Sequence, residues 1–288
     1  MIRVTKTILR KIYKPRSKDA KKYDFGLLIV IGGSKFYSGS PALTALAGFR
    51  TGVDMVHVLA PKRAADIIAS FSPNLAAYPL EGDWLEKRHL PILLTFAKSA
   101  EEVTEGKVAI AIGGGLGRSK ETQEAILEFL SRISLPVVVD ADAIHAVAKK
   151  PEIVQGKNFL FTPHSYEFFI LTGKEVRGKT EEEKIEIVQA EAERMGITIL
   201  LKGKADIISN GKEVALSKTG NPYLTKGGTG DTLVGICGAL MARGVNPFLA
   251  GQAGVYINGR AGEIATREKR EGLLATDLIE AIPQVIKF

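Results

Sequence analysis

Cysteine is almost missing from this chain. Of 288 residues one is Cys, at position 237. An internal disulfide is therefore impossible, and a cysteine-based metal cluster is excluded with it. Cys237 falls among Leu233, Ile236, Leu240 and Met241 at helical spacing, so it reads as core, not as a nucleophile. No apolar run reaches the length of a membrane span. Long basic runs are lacking too, although the net charge is +7. With no DNA- or RNA-binding motif, that mild excess suits a phosphorylated small molecule better than nucleic acid. What is present is ample apolar material, 45% of residues, enough for the core of one large α/β domain or two small ones. The abundance of Lys and Glu points to a heat-adapted protein.

The most informative stretch runs from Gly220 to Asp231 (GNPYLTKGGTGD) and passes directly into TLVGICGALM. The second part has helical periodicity, with Gly244 as its stop. A glycine-rich loop thus feeds a helix N-terminus near Thr229. Unpaired amides and the positive end of the dipole would face the loop and hold an anion. Asp231 is the odd residue there, because a carboxylate repels an anion. It either favours the dipole of its own helix or serves as a general base, taking a proton from a hydroxyl while the amides hold a phosphoryl group.

Elsewhere apolar strands alternate with helices. Strands are expected at 26–33, 55–60, 107–112, 136–140, 158–162 and 197–201, with a hairpin of 205–209 and 213–216 around Asn210-Gly211. Helices are expected after Ser40 as a cap with Pro41 first, over 64–70, over 84–98 with a kink at Pro91, and from Ser119 to Leu130. Others should run from the Thr180/Glu183 capping box to Met195, from Asn246-Pro247, and briefly from Thr276-Asp277. This alternation predicts a mostly parallel sheet covered on both faces, with ligands at the C-terminal strand ends. No repeat or linker divides the chain, so residues 1–288 are expected to form one domain. Lys202, just past a strand end, is placed either for a phosphate or for solvent. Asp140 and Asp142 are open between helix capping and a supporting or metal role.

Two motifs mislead. Gly173–Thr180 (GKEVRGKT) matches a phosphate-binding P-loop, but a helical segment precedes it where a buried strand is required, and Glu181, Glu182 and Glu183 would repel phosphate. Gly113–Gly117 (GGGLG) lacks the third glycine of a dinucleotide fingerprint, since Arg118 stands there.

Taken together, GGSKFYSGSPALTALAGFRTG (32–52), GGGLG (113–117), PVVVDADAI (136–144), TPHSYEF (162–168), LLKGKADII (200–208), GNPYLTKGGTGD (220–231), GVYINGRAGEIA and GLLATDLIEAIP resemble the NAD(P)H-hydrate dehydratase family. That family is the carbohydrate-kinase-like branch of the ribokinase-like fold, a three-layer α/β/α arrangement. It has a basic lead-in before its first strand. The basic residues Arg3, Lys6, Arg10, Lys11, Lys14, Arg16 and Lys18 are therefore expected to belong to the domain and not to a transit peptide.

The resemblance implies a repair reaction. NADH or NADPH hydrated on its nicotinamide ring is phosphorylated on the ring hydroxyl by ADP, or by ATP in eukaryotic members, and phosphate is then eliminated. It implies Asp231 as base, amides of Gly228, Thr229 and Gly230 around the phosphoryl group, and Ser40, Gly115 and His164 against the hydrated dinucleotide. It implies Lys202, Gly203, Lys204, Ala205 and Asp206, with Gly230, for the adenine nucleotide, and Mg²⁺ oriented by Glu167 through water. It also implies a cytoplasmic homo-oligomer working with a separate epimerase, because residues 1–25 are too few to hold a fused one. The sequence departs from the family's usual Ala at Ser40, Pro at Gly114, Pro-Gly at Ser165-Tyr166, Gly-Met-Ala-Thr near Tyr223–Lys226 and Thr at Asp206. Two other readings remain: a ribokinase-like kinase for a vitamin precursor or sugar, and a non-catalytic nucleotide-binding protein.

Overall fold

The computed structural model describes residues 1–287. In chain order the first half comprises β1 (Ile2–Arg3), α1 (Thr7–Ile12), β2 (Leu27–Ile31), α2 (Gly39–Thr51), β3 (Met55–Pro61), α3 (Lys62–Phe71), β4 (Ala76–Leu80), α4 (Leu90–Val103), β5 (Val108–Ile112), α5 (Lys120–Arg132), β6 (Val137–Val139) and α6 (Ala141–Val147). The second half comprises β7 (Phe159–Phe161), α7 (Ser165–Thr172), α8 (Glu181–Met195), β8 (Thr198–Leu201), β9 (Asp206–Ser209), β10 (Val214–Ser217), α9 (Thr229–Ala242), α10 (Pro247–Lys269) and α11 (Ala275–Ile286).

All ten strands join one sheet in the order β1-β10-β9-β8-β7-β6-β5-β2-β3-β4. Pairing is parallel throughout except at β8–β9 and β9–β10. The central strands are fully buried, with LLIVI in β2 and VAIAI in β5, because helices cover both faces. Their alternate residues divide between two cores. Leu28 and Val30 face α2, α9, α10 and α11. Leu27, Ile29 and Ile31 face α4 to α8. This is the expected three-layer α/β/α arrangement with a mostly parallel sheet.

Local capping formed where the sequence placed it. Ser119 accepts from Thr122 N, Thr180 and Glu183 bond reciprocally, and Asn246 accepts from Leu249 N. Thr180 therefore caps a helix, and Gly173 ends α7 in the left-handed region, so the P-loop lookalike is a helix-to-helix connection. The N-terminal segment packs into the structure: Ile8 and Leu9 are buried and β1 pairs with β10.

Several expectations need correction. The helix after the first strand begins at Gly39, with Ser38 at its N-cap and Ser40 inside its first turn. Ser40 does not cap because its hydroxyl goes to a carboxylate instead. The helix expected over 84–98 starts only at Leu90, after a 3₁₀ turn at Lys87–His89. Pro91 lies in its first turn, where the missing N–H costs nothing, so there is no kink. The last helix starts at Ala275 and runs 12 residues; Thr276 is inside it, and Asp277 accepts from Leu274 N. β1, α1 and β4 were not expected at all.

Candidate active site

The C-terminal ends of β2, β5, β6, β7 and β8 meet the N-terminus of α9. Gly228, with φ 94°, is the last residue before that helix. A Cβ there would approach Leu43 Cδ1 at 2.7 Å and Ala275 Cβ at 2.8 Å, so both conformation and packing require glycine. The Thr229 hydroxyl donates to the carbonyls of Leu224 and Lys226 and ties the loop to the helix start. Among the described residues, the amides of Gly230 and Asp231 have no acceptor within the protein. They are the free donors that a helix N-terminus offers to an anion.

Asp231 stands in the first turn of α9. Its Oδ1 accepts from the Ser40 hydroxyl, and its backbone carbonyl accepts from Thr44 Oγ1 at 3.1 Å. Burial pushes its pKa from 3.8 up to about 6, with nearby Asp140 adding to the rise and Ser40 and Lys202 opposing it. Above about pH 6 it is an ionised carboxylate whose proton affinity suits a general base.

Asp140, at the end of β6, proves to be a hub. It is buried, and its Oδ1 accepts from Thr162 Oγ1 at 2.7 Å and from Lys202 Nζ at 2.9 Å. It begins α6 but makes no side-chain capping bond, so its role is the supporting one. Asp142 also supports, since it holds Gly117 N at 2.9 Å and Arg118 Nε at 2.7 Å and so braces the GGGLG loop. Ala141 between them has φ 48°, a strained conformation for a residue with a Cβ.

Lys202 leaves β8 and lies 2.9 Å from Asp140 and 3.8 Å from Glu167. Burial pulls its pKa down, but Asp140, Glu167 and Asp231 outweigh this and hold it above the ordinary lysine value. Burial raises the Glu167 carboxyl, with Lys202 opposing. Glu167 Oε2 accepts from His164 N at 2.8 Å, and the His164 ring accepts from the amides of Tyr166 and Glu167 at 3.2 Å. His164 is thus a helix cap as well as an exposed ring near the site. Among the described residues no three His, Cys, Asp or Glu side chains are gathered to hold a metal.

The Lys202–Asp206 turn lies at the outer side. Gly203 and Lys204 are exposed, and Ala205 and Asp206 half-buried. Asp206 Oδ1 accepts from Gly203 N at 3.0 Å and clamps the turn, and its enclosure pushes its pKa up to about 6. Gly115, with φ 70°, lies against Tyr37, whose Cβ would be 2.8 Å from a side chain there. Exposed Phe36 meets Trp84 edge to face at 5.6 Å, and Trp84 covers Gly117. The floor of the site is a cavity of about 10 Å³ between Gly32, Ser40, Gly113, Gly114, Asp140 and Asp231. That is room for about one water, so larger ligands must sit above it.

The structure therefore draws Ser40, Glu167, Lys202, Gly230 and Asp231 around one point. It leaves Gly203, Lys204 and Ala205 on a rim turn. Sequence reasoning left Asp140 open between capping and support, without its partners, and missed the aromatic rim of Phe36, Tyr37 and Trp84. A carboxylate closing an all-valine strand was a signal for the first, and the second had none.

Residues 28–284 match the NAD(P)H-hydrate dehydratase family. The chain belongs to that family. It is 34% identical over 279 residues to an ADP-dependent (S)-NAD(P)H-hydrate dehydratase from Cenarchaeum symbiosum, covering 97% of this chain and 94% of that protein. It is 39% identical over 279 residues to the bifunctional NAD(P)H-hydrate repair enzyme Nnr of Hyperthermus butylicus, covering 95% of this chain and 50% of that enzyme. The chain thus spans about half the length of such bifunctional relatives. A ribokinase-like superfamily protein from Enterococcus faecalis superposes with a TM-score of 0.84 at 24% identity, covering 99% of this chain and 95% of that one. The ribokinase-like fold is confirmed by this likeness.

Proposed function

We propose that the protein is an ADP-dependent dehydratase that returns the S form of hydrated NADH or NADPH to NADH or NADPH, giving AMP and phosphate. One observation carries the reading: Asp231, with its pKa raised to about 6, stands beside the free Gly230 and Asp231 amides at a helix N-terminus. A base beside an anion cradle suits phosphoryl transfer to a hydroxyl.

The C6 hydroxyl of the hydrated ring would give its proton to Asp231 as its oxygen attacks the terminal phosphorus of ADP. The bond from that phosphorus to AMP breaks, while the amides around Gly228 to Asp231 hold the phosphoryl oxygens. Hydroxide is a poor leaving group and phosphate a good one. The ring nitrogen's lone pair then expels phosphate, and a proton is lost from the neighbouring ring carbon.

Lys202 supplies positive charge beside Gly230, lying 3.6 Å from where a Cβ of that glycine would stand. Ser40, Gly115 and His164 border the dinucleotide, and exposed Phe36 and Tyr37 offer its flat rings a stacking surface. The Gly203–Asp206 turn lies against the adenine nucleotide. Mg²⁺ fits here as an ion carried by the nucleotide's phosphates. Among the described residues no group of three His, Cys, Asp or Glu closes around an ion, but Glu167 can orient one through water. When bound, it would neutralise charge on the phosphates. The name of the Cenarchaeum relative favours ADP as donor. The enzyme would act in the cytoplasm as a one-domain unit of a homo-oligomer, working with an epimerase.

The test adds ADP or ATP to purified protein with Mg²⁺ and hydrated NADH and follows the absorbance of reduced nicotinamide. A rise with ADP is expected, falling 10²- to 10⁴-fold or more in Asp231→Asn. A stable phosphorylated product from a small alcohol, with no rise, would establish a kinase instead. Unchanged turnover in Asp231→Asn would remove the base.

A further inference from the structure

The Ser40–Asp231 hydrogen bond sits where three fixed pieces of backbone meet. Ser40 is in the first turn of α2, which is tied to α9 by Thr44 Oγ1 on the Asp231 carbonyl at 3.1 Å. Opposite lies Gly114, pinned by its carbonyl to Gly33 N at 2.9 Å, while Gly113 N holds the Ile31 carbonyl at 3.3 Å. A Cβ on Gly114 would overlap Ser40 Oγ and stand 3.3 Å from Asp231 Oδ1. The hydroxyl therefore occupies the space that a side chain at 114 would fill. Both α2 and the Gly113–Gly114 turn are tied in place by these hydrogen bonds.

We infer that Ser40 is the positioning residue of the base: its hydroxyl fixes Oδ1 of Asp231 and leaves Oδ2 to receive the substrate's proton, and Gly114 is glycine to admit that hydroxyl. The inference deepens the dehydratase reading and rests on it for the identity of the proton donor, but the contact is a property of the free protein. A hydrogen bond to the ionised form of a carboxylate favours that form. The other charged groups facing Asp231 are Asp140, from the end of β6, and Lys202, from the end of β8. They oppose each other; burial is the largest influence on the carboxyl, and the Ser40 contact is the foremost one that favours the ionised form.

The experiment titrates the Asp231 carboxyl by ¹³C NMR in wild type, Ser40→Ala, Ser40→Thr, Gly114→Ala and the Ser40→Ala/Gly114→Ala double variant. Asp231→Asn assigns the signal. Ser40→Ala is expected to raise proton affinity at Asp231 about tenfold, matching one charge-assisted hydrogen bond of about 1.5 kcal/mol. Gly114→Ala is expected to shift it in the same direction by displacing the hydroxyl, and the double variant to add nothing to Ser40→Ala. Ser40→Thr keeps the donor and should restore the wild-type midpoint. In turnover, the acid limb of the pH profile should move upward with Ser40→Ala, and kcat should fall by a larger factor than KM rises.

An unmoved midpoint in folded Ser40→Ala would overturn the inference. So would additive shifts in the double variant, or a raised KM with unchanged kcat and acid limb, which would make Ser40 a substrate contact only. If wild type fails to restore reduced nicotinamide while the midpoint shifts as described, the dehydratase reading falls and the positioning role stands.

Discussion

Lys202 shows how closely the charges of the site are balanced. It is the cation for Asp140 at 2.9 Å and for Glu167 at 3.8 Å, and it also lowers the pKa of Asp231. Removing one member of such a group leaves the others without compensation, which is worse than removing all of them. Lys202→Met is therefore expected to lower kcat/KM for the nucleotide at least tenfold. It should also raise the pH at which Asp231 ionises, since Lys202 opposes that group's desolvation. Both effects are read from pH–rate profiles at several ADP concentrations, with circular dichroism to verify folding. An unchanged nucleotide kcat/KM would return Lys202 to a purely structural part. None of this balance could be seen in the sequence. Asp231 and the glycine-rich loop were visible at a helix start, and Lys202 as a residue just past a strand end. The contact between Lys202 and Asp140 joins positions 62 residues apart and exists only because β6, β7 and β8 are neighbours in the sheet.

Elements were legible where their cause was local. Ser119, Thr180 and Asn246 each announce a helix by a side chain that reaches a backbone amide three residues on, and each forms that bond. β4 gave no such sign. It is an edge strand with AAYPL half open to solvent, and Pro79 breaks its apolar pattern. Ser40 was misread because a serine before a proline looks like a cap, whereas its acceptor lies on α9, far along the chain. The capping box of α8 also separates structure from chemistry in the segment that mimics a P-loop. Thr180 accepts from Glu183 N at 3.2 Å, and Glu183 Oε2 accepts from Thr180 N at 2.8 Å. Thr180→Ala is expected to cost about 1 kcal/mol of stability and to leave turnover within about twofold. A loss of turnover like that of Asp231→Asn would show that Gly173–Thr180 binds phosphate after all.

At the scale of the whole molecule, the site is held together against its own electrostatics. Asp231 rises from 3.8 to about 6 and so does Asp206, both chiefly by burial. A carboxyl whose pKa is higher folded than unfolded binds its proton more tightly in the folded state. Stability then falls as pH rises from about 3.8 to 6, and the cost stays constant above that window. Two pKa units correspond to roughly 3 kcal/mol, reduced to about 1–2 kcal/mol by the solvent that reaches a half-buried group. Asn in place of Asp231 keeps an oxygen to accept from Ser40 but carries no charge. Asp231→Asn should therefore be inactive and, at pH 7.5, more stable than wild type by about 1–2 kcal/mol in urea unfolding. At pH 4, where the wild-type carboxyl is protonated in the folded protein, the gain should shrink towards zero. A gain of the same size at both pH values would assign it to packing, and a loss at pH 7.5 would mean that Lys202 depends on the Asp231 charge more than burial opposes it. The expected pattern is that of a fold spending stability on a carboxylate held out of water, where it can take a proton from a hydroxyl.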